Sequence, residues 1–280
     1  MTKKSLRSYW PNKAKLAISI SMQFEAGGQP DRGVESPFSG TPLPSEYPDL
    51  PAQTWFEYGY LEGIPRLLEL WDKYDIKVTS HMVGKAVLAN PDLAKEIVKR
   101  GHEAAAHGMS WESQYNMKRE QEKKFIADGV KAIQKVTGVT AVGYNCNWLR
   151  RSVNTIEILQ ALGFLYHIDD VSRDHPFIIQ ANKHPFVVVP YTLRCNDIVL
   201  FEGRHFSPDN FFQTLKYEFD QLYSEGNSRQ RMMSISTHDR IGGTPSVVKA
   251  LDKFLDYASK HRGIWFARKD EIANWTLKNQ

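Results

Sequence analysis

The segment KLAISISM, residues 15–22, sets Leu16, Ile18, Ile20 and Met22 against Ala17, Ser19 and Ser21 in strict alternation. Successive side chains of a strand point to opposite faces, so one face of this strand is bulky and the other is small. Such a strand suits the wall of a narrow barrel, with small residues turned inward and large ones turned toward covering helices. Further strand candidates recur at 76–83, 103–107, 140–145, 164–169, 186–191, 232–238 and 263–267. Helical patterns fall between them. GIPRLLELWDKYD carries Ile64, Leu67, Leu68 and Trp71 on one stripe. NPDLAKEIVKRG opens with Asn90 as N-cap and Pro91 at the first helical position, and Gly101 stands just past its end. Residues 118–137, 153–162, 209–225 and 245–260 also read as helices, the last with Thr244 as cap. Alternating strands and helices imply parallel strands with helical cover, as a barrel or an open sheet.

No composition break marks a second domain, so residues 1–280 are expected to form one. The alternation is interrupted once, at 27–59, a Pro- and Gly-rich stretch with no evident element. A long loop of this kind is expected to act as a lid or an interface arm. Its Phe38, Leu43, Tyr47, Leu50, Trp55 and Phe56 argue that it packs.

Several function classes are disfavoured. The 280 residues carry a net charge of +4 spread along the chain, with no basic run interleaved with aromatics, so no nucleic-acid partner is expected. No apolar stretch approaches a membrane span. The N-terminal segment lacks the apolar core and small-residue cleavage site of a signal peptide. The two cysteines, Cys146 and Cys195, fit no disulfide framework or zinc spacing. A cytoplasmic location follows as the expectation.

In a βα barrel the active site lies at the C-terminal ends of the strands, and polar residues gather there in this chain. The first strand ends in Gln23, Phe24 and Glu25 before Gly27 and Gly28. The second runs into His81 and the third into His107. The fourth ends in Tyr144 and Asn145, with Arg150 and Arg151 nearby, the sixth in Tyr191, and the seventh in His238 and Asp239. Glu25, His107 and His238 are the candidate catalytic groups. Gln23, His81, Trp111, Asn145, Arg150, Arg151 and Tyr191 are the candidate substrate contacts. Asp239 is expected to act locally, because neighbours in an extended segment point apart. A zinc site wants at least three protein ligands. Glu25 and His107 supply two, and the residue four after His107 is Trp111, whose indole ligates nothing. No cofactor is therefore expected, with a weakly held divalent metal such as zinc at Glu25 and His107 as the alternative.

SISMQFEAGG, NPDLAKEIVKRGHEAAAHG, NTIEILQALGF, VVVPYTLRCND and STHDRIGGTP, in this order, resemble the polysaccharide deacetylase superfamily. That resemblance implies an α/β fold, a single-domain distorted (β/α) barrel of about seven parallel strands. It also implies a metal-binding Asp-His-His triad, from which this chain departs. Gln23 and Glu25 replace an Asp pair, and Trp111 replaces the second His of a His-x-x-x-His. QFEAGG, HGMSW, VVVPYTLRCND and WFARKDEIANW are similar to the metal-independent allantoinases and cyclic imide hydrolases of that superfamily. This branch implies a hydrolase of carbon–nitrogen bonds that opens a small cyclic amide, ureide or imide, and a homo-oligomer, with a tetramer favoured. Glu25 or His107 would serve as general base and His238 as acid. Asn145, Tyr191 or a backbone N–H would stabilise the oxyanion. Trp111 would wall a planar ring. The alternatives are a divergent carbohydrate or peptidoglycan N-deacetylase and a non-catalytic ligand-binding barrel.

Overall fold

In the computed structural model, which describes residues 9–279 apart from 31–35, 39, 42 and 45, strand β1 (Leu16–Phe24) lies at the heart of a curled sheet. The other strands are β2 (Thr79–Met82), β3 (Glu103–Ala106), β4 (Gly143–Tyr144), β5 (Tyr166–His167), β6 (Phe177–Ala181), β7 (His184–Val188), β8 (Met232–His238) and β9 (Ile264–Phe266). Their order is β6-β7-β5-β4-β3-β2-β1-β8, with β9 pairing the first part of β1. Every pairing is parallel except the β6–β7 hairpin. The curl is closed between β7 and β8 by an irregular segment rather than a ladder. There Ser236 donates its N–H to the Cys195 carbonyl (2.9 Å), and Asn196 forms an isolated bridge with Ser236. The expected barrel of parallel strands is thus present as a half-barrel, within a mixed α/β fold.

The inside-small pattern of β1 holds. Leu16, Ile18, Ile20, Met22 and Phe24 join the main apolar core with Leu67, Leu68, Phe219 and Phe254 of the surrounding helices. Register sets Ser21 beside Thr79 and Ser236, and Gln23 beside His81 and His238, on the interior face. The lower interior is plugged by the helix Lys269–Asn279, whose Ile272 and Ala273 meet Ala17, Val187, Val189 and Met232. Its first residue carries a buried ammonium inward, where Lys269 Nζ donates to Ser19 Oγ (3.1 Å). Nearby, Glu103 accepts from Thr79 (2.7 Å) and Tyr166 (2.8 Å). Burial draws Lys269 down to about 7 and pushes Glu103 up to about 7.

Several elements differ from expectation. The strand expected at 140–145 shortens to Gly143–Tyr144, and that at 164–169 to Tyr166–His167. Strand β6 was not expected; Asn182 and Lys183, both left-handed (φ 47° and 67°), turn it into β7. Asn90 and Thr244 do not cap with their side chains. They donate backward to the Ala86 carbonyl (3.3 Å) and the Ile241 carbonyl (2.8 Å). The prolines at the first helical turn remain as the start signal.

The largest correction concerns 27–59, which ends in a helix. Asp49 caps Leu50–Tyr58 by accepting from Ala52 N (3.0 Å), and a π-helical turn, Gly59–Gly63, joins it to Ile64–Lys73. The two glycines obscure this helix in the sequence, yet close packing requires them. A Cβ on Gly59 would lie 2.7 Å from Asp239 Cγ, and one on Gly63 would lie 1.9 Å from the Asp239 carbonyl oxygen. Of the apolar residues expected to pack, Phe56 is buried and Trp55 half-buried, while Phe38, Leu43, Tyr47 and Leu50 are exposed. Among the described residues no helix is long and apolar enough to cross a membrane.

Because the obstacle at Gly63 is backbone, Gly63→Ala is expected to destabilise the protein by about 1–3 kcal/mol, the usual cost of overpacking. Urea denaturation should show a lower midpoint with an unchanged slope; an unchanged midpoint would show that this contact tolerates a methyl group.

Candidate active site

Glu25, His107 and His238 come from the ends of β1, β3 and β8, and all three are buried. His107 Nδ1 lies 2.7 Å from the Asn145 carbonyl oxygen, so that nitrogen carries the proton and donates. Its Nε2 turns toward Glu25 Oε1 at 3.4 Å. His238 Nδ1 lies 2.5 Å from Asp197 Oδ1, and its Nε2 stands 3.9 Å from the same Glu25 Oε1. One carboxylate oxygen therefore faces two imidazoles.

The other oxygen, Glu25 Oε2, accepts from Arg240 Nη1 at 2.7 Å. Arg240 is fully buried. Its guanidinium carbon lies 4.3 Å from the ring centre of Phe56, 4.7 Å from Trp55 and 5.4 Å from Trp111. Burial opposes ionisation of Glu25, but His238, Arg240 and His107 outweigh it and hold the carboxyl well below the usual carboxylate range. For His238 the balance runs the other way. Burial lowers it, while the charges of Asp197 and Glu25 more than compensate and raise it above 6.5.

Asp239, the neighbour of His238, points away from it as alternation requires. Its Oδ2 accepts from the backbone N–H of Glu25 (2.9 Å) and Ala26 (2.8 Å), and its Oδ1 from Arg240 N (2.7 Å). Its role is therefore not only local as expected: beside the bond from Arg240 it ties β8 to β1 and fixes where Glu25 leaves β1.

A small cavity of about 60 Å³ opens above these groups. Glu25, His107 and His238 line its polar end with Gln23, Asn145 and Tyr191. Gln23 Nε2 donates to Tyr191 Oη (3.0 Å) and Asn145 Oδ1 (3.3 Å), and Tyr191 is hydrogen-bonded to Ser236. Asn145 Nδ2 is bound to Asp169 Oδ1 (2.9 Å) and the Cys146 carbonyl (3.0 Å). The remaining wall is mostly apolar, from Trp111, Trp148, Leu149, Leu193, Ile198 and Val199, with Cys146 and Asn196 beside them. Trp111 and Trp148 lie 6.2 Å apart, tilted by 47°. Trp148 and Leu149 both hold left-handed backbone (φ 53° and 59°), a costly conformation for bulky side chains.

Of the residues expected from sequence, Gln23, Glu25, His107, Trp111, Asn145, Tyr191 and His238 meet at this cavity. Three do not line it. His81 is buried lower in the barrel, 3.5 Å from Ser21 Oγ, and burial pushes it well below its usual range. Arg150 and Arg151 are exposed beyond the cavity wall. Asp197, Arg240 and Trp148 were missed. Asp197 lies inside VVVPYTLRCND, but its meeting with His238 depends on how 191–197 closes the barrel. Cys146 lines the cavity, and burial pushes its thiol well above its usual range, which disfavours a nucleophilic role.

The donor set does not match a three-ligand metal site. Among the described residues no group of three or more His, Cys, Asp or Glu side chains is placed to hold a metal ion. Where the deacetylase pattern has its second His, Trp111 packs over a guanidinium that already binds the Glu25 carboxylate.

Asp197→Asn removes the largest of the charges that raise the pKa of His238 against its burial. The imidazole of His238 is expected to titrate at lower pH than in the parent, read from its NMR shifts. An unchanged titration would show that Glu25 alone sets it.

Residues 51–167 match the family model for polysaccharide deacetylase. The chain is 27% identical to the peptidoglycan deacetylase of Helicobacter pylori, over 77% of this chain and 84% of that protein. Two solved structures each share 30% identity and superpose with a TM-score of 0.92. One is a probable polysaccharide deacetylase from Pseudomonas aeruginosa PAO1, covering 98% of this chain and 94% of that one. The other is PuuE allantoinase, covering 99% and 95%. Taken with the half-barrel and its strand-end residues, this similarity along nearly the whole length shows that the chain belongs to the polysaccharide deacetylase family.

Proposed function

We propose that the protein is a hydrolase of carbon–nitrogen bonds that opens a small cyclic amide, ureide or imide. The observation that carries this reading is the cavity itself, in which a carboxylate and two imidazoles converge at one end of a small space walled by indole and aliphatic side chains. Such walls suit a flat ring, whereas a sugar chain needs partners for its many hydroxyls. The similarity to PuuE allantoinase supports the same reading.

His107 Nδ1 is committed as a donor, so in the neutral imidazole Nε2 is the acceptor that takes a proton from water. Glu25, held strongly ionised, is a weak base, and its charge is better used to orient and stabilise the two imidazoles. Water adds to the ring carbonyl as its proton passes to His107 Nε2. The Tyr191 O–H, when Ser236 is the donor of their shared hydrogen bond, points at the developing oxyanion. The ring C–N bond then breaks as His238 Nε2–H, backed by Asp197, protonates the leaving nitrogen. The Trp111–Trp148 wall orients the ring. Within 27–59, the helix Leu50–Tyr58 supports this wall from behind, where Phe56 packs edge-on against Trp111 with ring centres 5.9 Å apart.

Purified protein assayed with allantoin, hydantoins and succinimide-type imides is expected to open at least one of them. Glu25→Gln, His107→Ala and His238→Ala should each lose on the order of 10²- to 10⁴-fold in kcat. Activity should fall as pH rises through the raised value of His238, because the acid is then lost. Release of acetate from N-acetylated oligosaccharides, with no turnover of any ring, would favour the divergent N-deacetylase. No activity and no effect of the three substitutions on ligand affinity would favour a non-catalytic barrel.

The exposed Phe38, Tyr47, Leu50 and Leu61 support self-association as a tetramer through this region. Sedimentation equilibrium is expected to give a mass near four times 32.1 kDa; a monomer would overturn the assembly.

A further inference from the structure

We infer that Arg240 is the resident cation of the catalytic centre, a positioning residue that gives Glu25 the positive partner a bound metal ion would supply. This rests on reading Glu25, His107 and His238 as the reacting groups, but on no particular substrate.

Burying a guanidinium completely is costly unless it is paired and well packed. Arg240 lies beside the carboxylate of Asp239 in the chain, at 3.4 Å from its Oδ1, which would suffice for a purely structural ion pair. The same nitrogen, Nη1, also reaches Glu25 Oε2, and there at the shorter 2.7 Å. The box that holds it is assembled from separate elements. Trp55 and Phe56 come from the helix Leu50–Tyr58, and Trp111 from the loop after β3. Aromatic faces favour a cation where water cannot reach it. Trp111 thus has two roles, as one side of the cation box and, through Trp148, as part of the cavity wall.

The arrangement also fixes Glu25 in space. With Oε2 held by Arg240, Oε1 is directed at His107 Nε2 (3.4 Å) and His238 Nε2 (3.9 Å). A divalent ion at Oε1 would meet a fixed positive charge across one carboxylate, and that repulsion is large in a buried site. Trp111 and Arg240 therefore act together: the indole helps to bury the cation that occupies Glu25 Oε2.

The test is Co²⁺ affinity, by calorimetry and by the visible d–d band, on full-length protein whose folding is checked by circular dichroism. Arg240→Gln is expected to bind Co²⁺ at least about tenfold more tightly than the parent, with a band that adding His107→Ala abolishes. Arg240→Lys, still cationic, should stay at the parent's level. Trp111→His, at a position less enclosed than Arg240, covers the case in which Arg240→Gln fails to fold. With Arg240 in place the added imidazole should bring no gain in affinity. Equal affinity in parent and Arg240→Gln, or a tight Co²⁺ site in Trp111→His alone, would overturn the inference. Because no turnover is read, a protein inert toward every cyclic amide still tests it, and failure of the substrate reading stays distinguishable.

Discussion

The carboxylate of Asp239 is the interaction on which the rest of the centre depends. It ties the end of β8 to the end of β1 by accepting two consecutive N–H groups, those of Glu25 and Ala26. It also receives the N–H of Arg240 and so starts the short helical turn that carries the guanidinium inward. The π-helical turn that follows the helix of Trp55 and Phe56 runs directly against it, through Gly59 and Gly63. One buried side chain thus sets the direction of Glu25, the origin of Arg240 and the seat of the aromatic box. Its burial raises its own pKa, with Arg240 opposing, so the stability of this junction depends on the cation beside it.

Charge balance explains why so polar a centre is tolerated inside a fold. Glu25 is bordered by a guanidinium and two imidazoles, and Asp197 by one imidazole and two backbone N–H groups. Each charge has an opposite partner or a donor within hydrogen-bond reach, which is what burial demands. The lower barrel uses another solution. There Lys269 and Glu103 lie close to neutral pH in their preferences, held by Ser19, Thr79 and Tyr166 rather than by a tight ion pair. His81 belongs to this lower layer. Its backbone is level with Gln23, but its Nε2 lies 3.5 Å from Ser21 Oγ and it does not line the cavity.

Strand-end reasoning found most of the centre because parallel βα architecture brings those ends together whatever the loops do. Glu25, His107, Asn145, Tyr191 and His238 were all legible in this way. Trp111 was legible as a departure from a metal-ligand pattern, though its packing on Arg240 was not. Arg150 and Arg151 are exposed and do not line the cavity, because nearness in the chain to a strand end says nothing about direction. The helix at Leu50–Tyr58 is hidden by the Pro- and Gly-rich stretch before it and the glycines of the turn after it, since Gly59 and Gly63 are present for close approach to Asp239 and not to break the chain.

The sequence by itself determined the alternating βα architecture, the inward and outward faces of β1, and the family, because these follow from local periodicity and ordered motifs. Tertiary structure alone decided that Asp197 backs His238, that Arg240 binds Glu25, and that Trp111 serves both the cation box and the cavity. Each of these is a meeting of side chains far apart in the chain. It depends on how an irregular segment closes the half-barrel and how closely a glycine-bearing turn packs, and neither leaves a periodic trace in sequence.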